Sequence, residues 1–338
     1  MLFERLNKYF EGGRSKKGDW EMTAKVTFAI SWWVITYVLF YVNDWTYTQF
    51  FGLYVLQGLG QIFMFLNIAH DANKRFMNKS LSYVLDACGI SSYMWRIMHN
   101  IGHHSVMNVH GEDEGIHAHG IFRFSPHAPW KPYHRFQHIY GFFMYFITSL
   151  DFIFFKDFEY LFLNNNKHIE GMKHPLHEWV TIIGSKILYL IYMIVLPVTI
   201  LGFSWPQVII AFIVTHFIMG LAAALIIQTA HLLDVNEFPK TSHDYDYLDH
   251  ILATTTDYAT RSRIANFICG GLNHHVTHHI FPQVAHTHYP KLTKIVRETA
   301  AEFGISDCSN SWGSSPKAPC RTAGLWWPML SLGIAYKL

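Results

Sequence analysis

Four stretches of the chain are apolar at nearly every position for about the length of one bilayer crossing. They cover residues 24–42, 47–69, 180–203 and 206–230. A helix needs about 20 such residues to cross about 30 Å of hydrocarbon. The stretches pair into two hairpins, joined by short turns at residues 43–46 and 204–206 that contain no Lys or Arg. A fifth apolar run, 139–155, is interrupted by Asp151 and followed by Lys156 and Asp157. Its pattern predicts a helix at the membrane interface or partly buried, not a span. The expected fold is all-α. It is an integral membrane unit over residues 1–305, with four transmembrane helices in two hairpins and a helical cap built from 70–179 and 231–305. Residues 306–338 read as an atypical, disordered tail.

Charge sharpens this picture. Of the 26 Lys and Arg residues, 24 lie in 1–23, 70–179 and 231–338. The positive-inside rule predicts that these segments are cytoplasmic. Charged residues make up only 15% of the chain and hydrophobic residues 51%, against about 25% charged in soluble domains. The net charge of +2 comes without a basic run, which argues against a nucleic-acid partner. The first 20 residues are rich in charge and lack the apolar core of a signal peptide. Four Cys form no CxxC pair, so no thiolate cluster or disulfide framework is indicated.

The chemistry lies in the 23 His. His70 directly follows the second apolar stretch and His231 the fourth. Two further clusters are His99 with His103 and His104, and His274, His275, His278 and His279. In a helix, His99 with His103, His274 with His278 and His275 with His279 would each share a face, and each pair could grip one metal. About eight imidazoles on one membrane side suggest two metals. Imidazole alone leaves iron, zinc, copper and nickel open, although the absence of HExxH weakens a zinc-protease reading. His216 lies within the fourth stretch, where a polar contact to a neighbouring helix is expected. The remaining His are expected at the surface or behind the ligands. Lys186, near one end of its stretch, is expected to snorkel.

At these residues the chain resembles the membrane fatty acid desaturase family. The resemblance covers residues 20–305 and is densest at 92–104, 123–127 and 270–282; residues 286–291 and 295–298 also fit. It implies two non-haem irons that use O2 as co-substrate. Carried over by position, it implies His70, His99, His103, His104, His231, His275, His278 and His279 as ligands, with His274 as an alternative in register. It places Asp71 and Asn273 behind them, orienting ligands or holding a bridging water. One departure stands out. The family's first His motif ends in a second His, and here that position is Lys74. A protonated ammonium has no lone pair for a metal, so His274, His110 or a carboxylate would have to take its place.

The implied reaction is oxygen-dependent desaturation of a fatty acyl chain carried on coenzyme A, acyl carrier protein or a lipid. Electrons would come from ferredoxin, or from a b-type cytochrome with its reductase. Trp95, Tyr93 and Met94 are candidates to line an acyl tunnel, and Arg123, Lys131 and Arg135 to hold an anionic head group. The Lys74 change keeps an acetylenase or hydroxylase on a carrier-bound chain in play. Two readings from other classes are a His-rich metal transporter and an inactive membrane relative. A transporter would carry its ligands at mid-membrane depth, whereas these clusters sit at the ends of the apolar stretches.

Overall fold

The computed structural model describes residues 1–72, 79–117, 120–162, 171–241 and 246–304. Lys74 and the 306–338 tail lie outside the described residues, as do His119, His168 and His243. Among the described residues every element is helical and none is a strand. We number the helices used below α1 (Leu2–Phe10), α2 (Trp20–Leu39), α3 (Tyr47–Met64), α4 (Ser92–Asn100) and α5 (Gln137–Asp151). They continue with α6 (Leu176–Leu190), α7 (Trp205–His231), α8 (Tyr247–Thr254), α9 (Arg263–Ile268), α10 (His275–Ile280) and α11 (Tyr289–Glu302).

Among the described residues, five helical segments are long and apolar enough to cross a membrane: Trp20–Leu39, Tyr47–Ala72, Pro132–Phe162, Leu176–Leu201 and Trp205–His231. Four of them coincide with the four apolar stretches. The other is longer than its sequence suggested. Asp151, Lys156 and Asp157 read as a stop, yet the helix continues through them because the last two are partnered inside the protein. Lys156 Nζ lies 3.6 Å from Glu114, and Asp157 accepts a 2.7 Å bond from Lys186. Lys186 is therefore buried at 5% exposure instead of snorkelling, and its ammonium also donates to Gly89 O at 2.8 Å.

The sequence sets the start of each segment. Asp19 caps α2 by accepting from the amides of Glu21 and Met22. Thr46 and Gln49 form a reciprocal capping box at α3. In lipid there is no hydrophobic drive between helices, so close packing must hold them together, and small residues permit it. Gly58 on α3 lets α7 approach so closely that a Cβ there would lie 2.1 Å from Thr215 Cγ2. Gly220 on α7 similarly admits the backbone of α5, with Tyr145 O 2.7 Å from a Cβ. The space between spans is filled by Phe40, Phe50, Tyr54, Ile153, Tyr189, Met193, Val208 and Phe212. His216 bridges helices as its polarity requires, bonding Ser149 Oγ at 3.1 Å and Tyr189 OH at 2.9 Å.

One local irregularity positions the chemistry. After α3 the helix widens into a π turn, Phe65–Ala69, and continues through His70–Ala72. Each extra residue rotates the following side chains by about 100°, which resets the direction in which His70 projects. The turn is clamped from outside. Asn67 Nδ2 donates to Phe63 O and, across the fold, to Ile268 O at 3.2 Å. Gly270 packs against the same turn with φ +58, and a Cβ there would lie 2.0 Å from Leu66 O.

Gly270→Ala should therefore be strongly destabilising, since backbone must move and the left-handed φ adds about 1–3 kcal/mol of strain. Thermal unfolding of the purified protein in detergent should show a clearly lower midpoint than wild type. Gly52→Ala, where a Cβ meets nothing within 4 Å, should leave the midpoint nearly unchanged.

Candidate metal centre

His70 arrives on the last turn after α3 and His231 as the last residue of α7. Two chain segments bring the rest. Ser91 caps α4 through its bond from Met94 N, and His99 sits in that helix's last turn. The helix stops at Asn100, but the chain keeps turning, and the His99 and His103 rings stay in contact, 5.9 Å between centroids, as their spacing suggested. Ile101 and Gly102 both bond back to Ile97 O, and His104 N bonds to His99 O. The widened turn places His99 in one ligand group and His103 in another while their rings still touch. The second segment is α10. It begins at His275, and His274 is its N-cap residue with non-helical φ −103 and ψ 56. His275, His278 and His279 face inward from α10.

The rings meet in three overlapping groups: His103 with His231, His275 and His279; His70 with His99 and His278; and His104 with His278 and His279. Within each group the candidate ligand atoms all lie within 4.8 Å of one another. Every residue the sequence nominated as a ligand is in a group except His274, which is held elsewhere. His274 Nδ1 lies 2.8 Å from Thr293 Oγ1 and Nε2 3.0 Å from Asn266 Oδ1. Burial, then Arg297, pushes its pKa down to about 3, so it is a neutral structural ring with both nitrogens engaged. His110 is exposed and in no group. No carboxylate enters the groups among the described residues.

The donor set can be tested against a metal. His103 Nδ1 is 2.8 Å from Asp113 Oδ1, and His275 Nδ1 is 3.0 Å from Leu272 O. Both partners are acceptors, so both rings carry their proton on Nδ1 and present a lone pair at Nε2. Those lone pairs point at His231 Nε2, 3.1 and 2.7 Å away, and His279 Nε2 lies 3.3 Å from the same atom. One imidazole nitrogen carries at most one proton, so it cannot satisfy three neighbours. Protonating more rings is no remedy. Burial, followed by the neighbouring His, holds the imidazolium forms of His99, His275 and His279 well below the ordinary pKa. Neutral imidazoles with converging lone pairs suit a borderline cation.

Asp113 is a candidate site residue that the sequence pattern does not single out. It is fully buried and takes the amides of Asn108 and Gly115 as well as His103. This is the carboxylate–histidine arrangement that fixes a ligand's tautomer. Asn108, likewise not singled out, adopts φ +59, a region that Asn tolerates better than most residues. Its side-chain amide reaches the carbonyls of His231, Glu237 and Thr254 at 3.1, 3.1 and 3.2 Å. It thereby ties the second His cluster to the end of α7. Nothing in the local Gly-Glu-Asp-Glu-Gly pattern distinguishes Asp113 from a solvated acidic loop.

The other nominated residues also have definite places. Asp71 is fully buried and accepts from His286. Asn273 bonds Asn266, which also holds His274, so it braces the third His cluster against α9. Trp95 stacks on His99 with ring centroids 5.2 Å apart and planes 18° from parallel. Tyr93 OH meets His174 at 3.1 Å, and Met94 is buried in a core cluster with Ile97, Tyr160 and Ile182. Arg123 donates to the carbonyls of Ala128 and Pro126.

Comparison with known proteins agrees with this arrangement. Residues 45–310 match the family described as fatty acid desaturase. The chain is 34% identical over 328 residues to an sn-1 linoleoyl-lipid 6-desaturase of Synechocystis sp., covering 90% of this chain and 88% of that protein. It is 31% identical over 321 residues to the protein of the same description from Arthrospira platensis, covering 90% and 85%. An acyl-lipid (8-3)-desaturase of Physcomitrium patens is 30% identical over 321 residues, covering 90% and 66%. By its His-lined centre, its apolar helices and these relatives, the chain belongs to the fatty acid desaturase family.

Proposed function

We propose that this desaturase is a di-iron, O2-dependent enzyme acting on a lipid-linked acyl chain. The observation that carries the reading is the convergence of the Nε2 atoms of His103, His275 and His279 on that of His231. One iron would be held by these four residues and the second by His70, His99, His104 and His278, whose rings lie 4.5–5.7 Å apart in the contacting pairs. Bound iron supplies the oxidising power drawn from O2 that unactivated C–H bonds require, which acid–base groups lack. The protein's part is placement. Asp113 and Leu272 O keep Nδ1–H protons on His103 and His275, so Nε2 stays a donor. Burial keeps His99, His231, His275 and His279 neutral. The net reaction takes a –CH2–CH2– unit, O2, two electrons and two protons to –CH=CH– and two waters. The electrons come from a separate donor such as ferredoxin, or a b-type cytochrome with its reductase. The lipid-linked substrate follows the relatives, whose descriptions name lipid acyl chains.

The placement of helices favours four spans, a helical cap and one unit over residues 1–305. His70 and His231 end their helices in a single cluster, so α3 and α7 finish on the same side. Then α7 starts on the far side, the segment Leu176–Leu201 ends there, and its beginning lies on the His side. The chain thus leaves α3 and enters α6 on one side, and Pro132–Phe162 must enter and leave there too. Its far end is tied back accordingly, with Asp157 accepting from Ser91 N, at the start of α4, at 2.8 Å. The positive-inside rule assigns that side to the cytoplasm, because it carries nearly all the Lys and Arg.

Expression in a cyanobacterial host that supplies ferredoxin and linoleoyl lipids should yield a new double bond in lipid-bound acyl chains, read by fatty acid profiling. A hydroxylated or triple-bonded product would contradict the assignment. His103→Ala and His278→Ala, one from each ligand set, should each lower product by at least about a hundredfold, about 2.7 kcal/mol in barrier. Each should also reduce the iron recovered per chain. Undiminished product in both variants would refute the site.

A further inference from the structure

A buried chain of three residues extends from Asp71 behind one half of the centre. Lys25 projects from α2 and is 6% exposed, His286 is 2% exposed and Asp71 is fully buried. Lys25 Nζ lies 2.8 Å from His286 Nε2. His286 Nδ1 and backbone N lie 2.7 and 2.9 Å from the same Asp71 oxygen, Oδ2. The hydrogen-bond directions follow from the end groups. An ammonium only donates and a carboxylate only accepts, so His286 receives at Nε2 and donates from Nδ1. The other oxygen, Asp71 Oδ1, is 3.8 Å from His70 Nδ1. The ammonium is itself fixed, with Asn266 O at 3.5 Å and the Phe267 ring at 5.3 Å. Gly271, at φ +75, brings the third His cluster so close that a Cβ would lie 2.6 Å from His286 Cβ.

The two halves of the centre are therefore backed differently. Asp113 stands behind His103 and also accepts from the backbone amides of Asn108 and Gly115. Asp71 stands beside His70 and is linked through an imidazole to a lysine 46 positions earlier in the chain, on another helix. We propose that Lys25 and His286 are positioning residues for the His70, His99, His104 and His278 half of the centre, acting through Asp71, while Asp113 serves the other half. This rests on the two-metal reading above. A buried carboxylate needs a partner, and Lys25 with His286 supplies one without placing a cation against the ligands. Asp71 is thereby held in one orientation at the residue next to His70.

Anaerobic titration of the intact metal-free protein in nanodiscs with ferrous iron tests this. Wild type should take up two irons per chain. Lys25→Met removes the ammonium at similar volume, and His286→Phe removes the relay. Each should weaken one site about 10–100-fold and leave the other at wild-type affinity, with the second site serving as the control for folding. Lys25→Arg, which keeps a cationic donor, should recover most of the loss, whereas a packing role would favour Met. Combining Lys25→Met with Asp113→Asn should weaken both sites, and combining it with His99→Ala should add nothing to the loss from His99→Ala. Two unaltered sites in Lys25→Met, or equal weakening of both, would overturn the proposal while leaving the metal centre intact. A wild-type protein that takes up no iron would overturn the metal reading and this proposal with it.

Discussion

The constraint on which the rest depends is the enclosure of many neutral imidazoles in a space with little water. A buried imidazolium is costly, so His99, His231, His275 and His279 stay neutral and keep their lone pairs. Neutral rings with facing lone pairs do not satisfy one another. The nitrogen of His231 meets three others within 3.3 Å, and a cation relieves that arrangement better than any pattern of protons. Much of the fold serves to hold these rings in place. The apolar helices deliver His70 and His231 at their ends, where irregular backbone becomes tolerable. The other ligands come from segments that would be unstable in lipid.

Rigidity comes from a few specific contacts more than from bulk burial. Glycines at 58, 220 and 270 let backbones approach where any side chain would collide. Asn108 spreads one amide over three carbonyls from two parts of the chain. The buried pair of Lys186 and Asp157 carries a helix through charges that would ordinarily end it. Several of these tie a segment bearing one of the clustered His to a long apolar helix, so a shift in helix packing becomes a shift in the position of these rings. A site of this kind is sensitive to displacements of about 1 Å.

Much of this was legible in the sequence, for physical reasons. Four span lengths follow from bilayer thickness, and they recur in the structure within a few residues. The His clusters show through their density and their position at span ends, and eight of the nine nominated rings fall into the three groups. What the sequence could not show is set by tertiary contact. The end of α4 at Asn100 puts His99 and His103 into different ligand groups, although their rings stay in contact as their spacing suggests. His274 turns outward because Thr293 and Asn266 receive it, and neither lies in the His motif. The length of Pro132–Phe162 depends on partners for Lys156 and Asp157 elsewhere in the fold. Asp113 is one acid among several in its loop, and the link from Lys25 to His286 joins residues 261 positions apart.

Iron K-edge X-ray absorption on the purified, iron-loaded protein tests the central claim most directly. The account predicts a first shell of nitrogen, with the strong outer-shell scattering of several imidazole rings at each iron and no sulfur. A spectrum dominated by oxygen ligands, or one showing sulfur or only one or two imidazoles per iron, would contradict it.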